Sequence, residues 1–395
     1  MSLTAYTSRT LYTPVETLDR PVVLVEDGII VKVGTRGSVE VPAQAEVRDF
    51  GDGIIAPGFV DIHIHGSAGY DVMQADTSAR REFEQFLARH GVTSYYPTTI
   101  AAPLDVIERA LERLADAIED AARENAGLES AGGGGRAQPL GVHLEGPFLS
   151  HAQCGAHRPE DLICPSVEIF NRFWQAARGH IRLMTIAPEL EGALEVIAEA
   201  ARRGVCVSLG HSDADLESTR RGVAAGARHA THTFNAMRPL RHRDPGIVGE
   251  VLTDAHLTAD VIADGLHVDR IVVQLFLQAK GAENAVLITD ATSATGMPDG
   301  KYQLGALEVE VKDGTVLRDD KLAGSVLTMD RALRNAMNFA GWDLQQAVRI
   351  ATANPARVAG AQNKGMLQPG ADADFVVLSA SGEVQATVIR GELVE

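Results

Sequence analysis

Lysine is missing from the middle of this sequence: none occurs between Lys32 and Lys280. Cysteine is scarce as well. Cys154, Cys164 and Cys206 are too few for a disulfide framework and form no close-spaced metal motif, so they are expected to be free thiols of a reducing compartment. No apolar run approaches the ~18 residues that span a bilayer. The opening stretch MSLTAYTSRT has no basic segment followed by an apolar one, so neither an anchor nor a signal peptide is expected and the chain reads as cytoplasmic. Basic residues are in deficit, 36 against 53 acidic, for a net charge of −17. That balance argues against a nucleic-acid backbone or an anionic membrane surface as the main partner.

What is present fits a globular chain. The 395 residues are 45% hydrophobic and 23% charged, which excludes wholesale disorder and allows one large core or two ordinary ones. Residues 1–56 alternate apolar runs with turns: PVVLV, EDG, IIVKV and later GIIAPG read as hairpin strands. The closing GADADFVVLSASGEVQATVIRGELVE repeats this grammar with two or three more strands. Both termini are expected to complete one small β-sandwich, residues 1–56 and 361–395, around a central unit at 57–360.

In that central unit short β-rich runs alternate with helical spacing. Strands are predicted at Val60–His65, Val92–Pro97, Leu140–Leu144, Ile181–Ile186, Val205–Gly210, Arg228–Thr233, Thr258–Ala263 and Val286–Asp290. Helices are predicted at Ala79–His90, Leu104–Arg123, Val167–Arg178, Leu190–Arg203, Asp215–Ala225, Ile247–Leu252, Asp269–Lys280 and Met329–Phe339. Ser78 is read as the cap of the first helix and Gly91 as its stop. Eight strand–helix units predict an α/β chain folded as a (β/α)8 TIM-like barrel, although periodicity alone also allows a doubly wound sheet. Gly132–Gly135 reads as a surface loop. Residues Lys301 to Lys321 read as a hairpin inserted after the eighth strand, either joining the small sheet or covering the barrel mouth.

In a barrel, reactive groups belong where strands end, and the histidines and carboxylates gather there. His63 and His65 end the first strand in DIHIHG; spaced by two, they project to one face and can grip one metal. Glu145 follows the third strand in HLEGPF, His211 the fifth in GHSDA, His232 ends the sixth in THTFNAM and Asp290 ends the eighth in LITDA. Imidazole and carboxylate ligands suit zinc or a similar divalent ion. Any one of these histidines is more often a hydrogen-bonded structural residue; six candidates at the ends of five strands are not explained by packing. Some barrel hydrolases bridge two metals with a carboxylated lysine, and the lysine gap leaves no such residue, so Glu145 is the natural substitute. His143 faces the same side as Glu145 and reads as support for it. His90, His151, His180, His229, His242 and His256 match no motif and read as surface or packing residues. Cys154 reads as a loop thiol near the mouth.

The motifs PGFVDIHIHG, HLEGPF, GHSDA, THTFNAM, ADGLHV, TDA and LAGS, in this order, resemble the N-acetylglucosamine-6-phosphate deacetylases of the amidohydrolase superfamily over essentially the whole chain. The resemblance implies a homodimeric barrel enzyme that removes acetate from the amino-sugar phosphate, in amino-sugar catabolism or cell-wall recycling. It implies Glu145, His211 and His232 as ligands of the main metal and His63 and His65 as holders of a second in some members. One or two ions are therefore expected, Zn2+ first, with Fe2+, Mn2+ or Co2+ also compatible. Asp290 matches the catalytic acid/base. His157, with Ala156 beside it, matches a contact to the acetamido group. Asn235, Ala236, Asp264 and His267 match sugar-phosphate contacts, as does Arg243, expected to reach in from the neighbouring subunit. Leu322, Ala323 and Gly324 match a further substrate-lining segment.

Two rival readings carry distinct expectations. A cyclic-amide hydrolase or nucleobase deaminase on the same scaffold would leave Asn235, Ala236 and Arg243 idle. A catalytically silent sugar-phosphate sensor should have lost a ligand or Asp290, and none is missing.

Overall fold

Hydrophobic alternation at the two chain ends becomes two packed sheets. The computed structural model describes residues 3–13, 16–125 and 135–394. In the first sheet Leu3–Thr7 pairs antiparallel with Pro21–Glu26 and parallel with Glu46–Asp49, and Ile29–Thr35 adds to Pro21–Glu26. The second sheet mixes the termini: Ile54–Pro57 lies between Thr10–Tyr12 and Phe375–Leu378, followed outward by Val384–Ile389. Tyr6, Val23 and Ile30 from the first sheet share a buried cluster with Leu11, Ile55, Phe375, Val377 and Val388 from the second. Strands from both ends of the chain thus pair in one sheet.

Ile54–Pro57 runs on into Phe59–Ile64, the first of eight short strands alternating with helices. The others are Val92–Pro97, Val142–Glu145, Ile181–Ile186, Cys206–Leu209, His229–Ala230, Ala259–Ile262 and Ala285–Ile288. Neighbours in sequence are neighbours in space and parallel. Five pairs are strand ladders, and a parallel bridge from Thr98 to His143 links the second to the third. Ala230 N–H to Thr258 O (3.1 Å) links the sixth to the seventh. Beyond the eighth strand, Asp290 N–H donates to His63 O at 3.0 Å. A doubly wound sheet would reverse its strand order partway; these pairs keep chain order. The strands are buried on both faces, as parallel strands covered by helices must be. Leu104–Asn125 shows how the helices dock: Ile107, Leu111, Leu114 and Ile118, three or four residues apart, form its buried stripe. Each such side chain contributes roughly 1.5–3 kcal/mol by leaving water.

Several sequence expectations shift. The first helix, Thr77–Arg89, is capped by Asp76, whose carboxylate accepts Ala79 N–H at 2.9 Å; Ser78 lies inside the helix and does not cap it. The sixth strand is only His229–Ala230, because the backbone turns at His232. The seventh helix, Arg270–Asn284, passes Lys280 and breaks at Gly281. Helices Leu344–Ala351 and Ala353–Val358 were not anticipated. The inserted segment forms its own four-stranded antiparallel sheet, Gly300–Leu304, Leu307–Lys312, Thr315–Arg318 and Lys321–Leu322. The loop read at Gly132–Gly135 lies, apart from Gly135, outside the described residues. Among the described residues no helix is long and apolar enough to cross a membrane.

Candidate active site

The strand ends deliver their polar residues to one place. Asp61, His63 and His65 stand at alternate positions and share a face. Glu145 is the last residue of the third strand, while His211, His232 and Asp290 lie just past the fifth, sixth and eighth. These last three have positive φ (47°, 30° and 50°), a conformation that costs about 1–3 kcal/mol per non-glycine residue and persists only where surroundings enforce it. The enforcement is visible. Ser150 N–H donates to His211 O (2.9 Å), Ser325 N–H donates to Asp290 O (2.8 Å), and His232 N–H donates to the Asp260 carboxylate. Gly324 leaves room for this turn, since a Cβ there would stand 2.5 Å from Thr292 Cγ2.

The ring nitrogens converge on two carboxylates. His63 and His65 bring Nε2 within 3.2 Å of each other and 3.5 and 3.2 Å from Asp290 Oδ1. His211 and His232 do likewise, 3.0 Å apart and 3.3 and 3.1 Å from Glu145 Oε1. Glu145 Oε2 lies 3.3 Å from both His63 and His65, so this carboxylate faces both groups. Among the described residues, His63, His65 and Asp290 form one set whose donor atoms all lie within 4.8 Å of one another, and Glu145, His211 and His232 form a second. Tautomers decide what can sit between them. His65 Nδ1 lies 3.1 Å from Thr98 O and His211 Nδ1 lies 2.9 Å from Gln153 O. A carbonyl only accepts, so each Nδ1 carries a hydrogen, and in the neutral ring, the form that binds a metal, each Nε2 turns a lone pair toward the cluster. Lone pairs aimed at carboxylate oxygens repel unless a cation lies among them. The donor set therefore fits a divalent ion.

Charge couples the same groups. Burial acts to raise Asp290 and Glu145, but the adjoining histidines outweigh it and hold both carboxyls well below the usual range. Burial likewise acts to lower His65 and His232, and the carboxylates overcome it, carrying them to about 10 and about 9. The histidines and the two buried carboxylates thus balance each other's charge, and a divalent ion among them would take over the positive charge that the protonated rings supply.

Around the cluster lies a cavity of about 140 Å³. His65, Glu145, His211, His232 and Asp290 line it together with Ala156, His157, Asn235, Ala236, His267, Leu322 and Gly324. His157 is held neutral: burial, then the neighbouring His211, pulls its pKa down to about 3. Its Nδ1 accepts Ala101 N–H at 3.1 Å, so the ring hydrogen sits on Nε2 as a donor. Three expected contacts lie elsewhere. Ala323 is fully buried in the core and, unlike Leu322 and Gly324, is not on the cavity wall. Asp264 accepts the N–H groups of Leu266 and His267 and the His267 ring (2.7 Å), so it shapes the loop that presents His267. Arg243 is exposed and outside the lining of its own chain's cavity. Cys154 packs with Ala101, Leu149 and Leu162.

Support beneath the cluster went partly unread. His143, expected beside Glu145, stacks edge-on against His63 at 4.6 Å with Nε2 2.7 Å from Thr185 Oγ1. His229, read as an ordinary packing residue, is fully buried against Asp260 (2.8 Å), the carboxylate that also accepts His232 N–H. Asp61 accepts His63 N–H (3.3 Å) and the Thr289 hydroxyl (2.5 Å), tying the first strand to the approach of Asp290. Its place two residues before His63 was the available signal.

Comparisons with known proteins agree with this geometry. Residues 54–394 match the model of the amidohydrolase family. The chain is 37% identical over 372 residues to N-acetylglucosamine-6-phosphate deacetylase of Bacillus subtilis (strain 168), covering 93% of this chain and 91% of that protein. It is 36% identical over 388 residues to N-acetylgalactosamine-6-phosphate deacetylase of Escherichia coli O157:H7, covering 98% of each. Among solved structures, a mutant N-acetyl-D-glucosamine-6-phosphate deacetylase from Mycobacterium smegmatis, in complex with N-acetyl-D-glucosamine-6-phosphate, superposes with a TM-score of 0.89 at 35% identity over 100% of this chain and 99% of that one. A family match over residues 54–394, a shared fold and identity of this extent lead to one conclusion: the chain belongs to the amidohydrolase family.

Proposed function

We propose that this chain is a metal-dependent hydrolase that converts N-acetyl-D-glucosamine 6-phosphate to D-glucosamine 6-phosphate and acetate, in amino-sugar catabolism or cell-wall recycling in the cytoplasm. The observation that carries the proposal is the meeting, around one cavity, of two ligand sets, one of them including Asp290, with a neutral His157 whose Nε2–H is turned toward Glu145 at 3.7 Å. The similarity to deacetylases of two N-acetylhexosamine phosphates names the substrate class. We read the eight strands as a closed (β/α)8 barrel at 57–360 with a β-sandwich made by 1–56 and 361–395.

An amide resists hydrolysis, so the site must supply a nucleophile, polarise a carbonyl and protonate a leaving amine. Glu145, His211 and His232 would hold the main ion and His63 and His65 a second, with zinc first among the candidates. A divalent ion there supplies Lewis acidity that eases deprotonation of water toward neutral pH. Asp290 takes the proton from the attacking water and passes it to the departing nitrogen. His157 Nε2–H donates to the carbonyl oxygen as it gains charge, a contact worth about 3–4 kcal/mol. Asn235, Ala236 and His267 receive the sugar phosphate, and Arg243 of a second subunit completes the anion site with a charge-assisted bond. The exposed apolar side chains Leu240, in that loop, and Leu266, Ile271 and Leu275 suit a homodimer interface.

The discriminating experiment compares acetate release from N-acetylglucosamine 6-phosphate, its galactosamine epimer and the unphosphorylated sugar with ammonia release from cytosine and adenine. The reading expects the phosphorylated acetamido sugars to be turned over and the bases left intact. Deamination without acetate release would replace it with the deaminase reading.

A further inference from the structure

We propose that the inserted hairpin sets acyl-chain specificity: its turn, Leu304 to Leu307, forms with Ile100 the wall that admits an acetyl group and rejects longer acyl chains. This rests on the deacylase reading above and extends it to residues with no assigned role. The reacting carbon must stand beside Asp290 and His157, and its two substituents leave in different directions. Asn235, Ala236 and His267 mark the sugar-phosphate side. Leu322 and Gly324 belong to that side too, since they also line a smaller neighbouring cavity with Asp264 and His267. Apart from the small Gly155 and Ala156, what is left of the lining is Ile100, Leu304 and Leu307, whose side chains offer only carbon. Ile100 directly precedes Ala101, whose N–H holds His157, so this wall adjoins the group assigned to the carbonyl oxygen.

The wall is built to stay put. Ile100, Leu304 and Leu307 are only 3%, 3% and 5% exposed, so no side chain can swing into solvent to make room. The turn presses on Ile100 so closely that a Cβ at Gly305, whose φ is +57°, would stand 2.6 Å from Ile100 Cδ1. Buried Asp71 accepts Gly305 N–H at 2.6 Å, Gln74 donates to Gly305 O, and Ser293 donates to Gln303 O. Farther along the insert, Arg318 Nη1 donates to Ala156 O at 2.5 Å, fixing it to the loop that carries His157. A longer acyl chain would have to displace packed core residues, and overpacking a rigid core is unfavourable. One methylene in an apolar pocket discriminates by roughly 10–200-fold.

The test measures kcat/KM for N-formyl, N-acetyl, N-propionyl and N-butyryl glucosamine 6-phosphate. Wild-type enzyme should favour acetyl over propionyl by at least ~10-fold. Leu304→Ala and Leu307→Ala should raise the propionyl-to-acetyl ratio by ~10-fold or more, and Leu304→Phe should shift preference toward formyl. Leu322→Ala, on the sugar-phosphate side, should leave the ratio where it is. Thermal melts monitor folding, and Leu304→Val and Leu307→Val replace any alanine variant that does not fold. Wild-type acetate release with an unmoved ratio in folded variants overturns this inference alone. No acid released from any of the four by wild type overturns the deacylase reading and this inference with it.

Discussion

Asp290 concentrates the demands placed on this site. It sits in a strained backbone conformation, is held by Ser325 and His63 through its main chain, and keeps its carboxylate ionised against burial by contact with His63 and His65. Replacing it with asparagine keeps the shape and removes the base. Asp290→Asn should lower kcat by about 10²–10⁴-fold, the usual worth of general acid–base catalysis, while substrate still binds by calorimetry. Retained turnover would move the proton-transfer role elsewhere. At this scale the metal-ligating candidates were legible, because the two-residue spacing of His63 and His65 fixes their common face before any fold is known. Asp260 was not. Its value lies in joining His229 and the His232 backbone, groups that meet only when neighbouring strands pair.

At the scale of elements, helix ends and inserts carry the information that periodicity misses. Lys280, inside the seventh helix, donates to Val251 O and Asp254 O, both at 2.8 Å, and so caps the end of helix Gly246–Thr253. Burial pulls its pKa down to about 8, only partly offset by Asp254. An unfolded lysine titrates near ~10.4. Between those values the unfolded chain holds more protons than the folded one, so this group makes stability rise with pH from about 8 to about 10.4. Urea unfolding across that window should show the rise in wild type and a smaller one in Lys280→Met. Equal slopes would mean the lysine titrates normally. The existence of the strand–helix units was legible because apolar runs and amphipathic stripes are local. Their ends were less so: Asp76 outcompeted Ser78 as a cap, and the sixth strand stops where His232 is forced into a left-handed turn. The insert's place over the cavity could not be read, since Leu304 and Leu307 look like any alternating strand residues until Ile100 is brought beneath them.

The whole molecule reconciles a net charge of −17 with an anionic substrate by local means. His267 stands on the cavity wall, but Arg243 is exposed outside it, in the same loop as the exposed Leu240. If the arginine serves the neighbouring subunit, light scattering should give a dimer, and mixing inactive Arg243→Ala with inactive Asp290→Asn chains should recover activity. A hybrid dimer has one cavity with both groups intact. No recovery after verified subunit exchange would return Arg243 to its own chain or to the solvent. The pairing of the termini was legible as repeated strand grammar, whereas an interface between copies has no local signature in one sequence. Above these questions stands the claim that this chain is a metal-dependent deacetylase. It is tested most directly by measuring acetate release from N-acetylglucosamine 6-phosphate with chelator-stripped protein, before and after adding back one divalent ion at a time, alongside bound metal per chain. The account predicts no release from the stripped protein and recovery in step with one or two ions bound; full release without metal, or none with any ion, would contradict it.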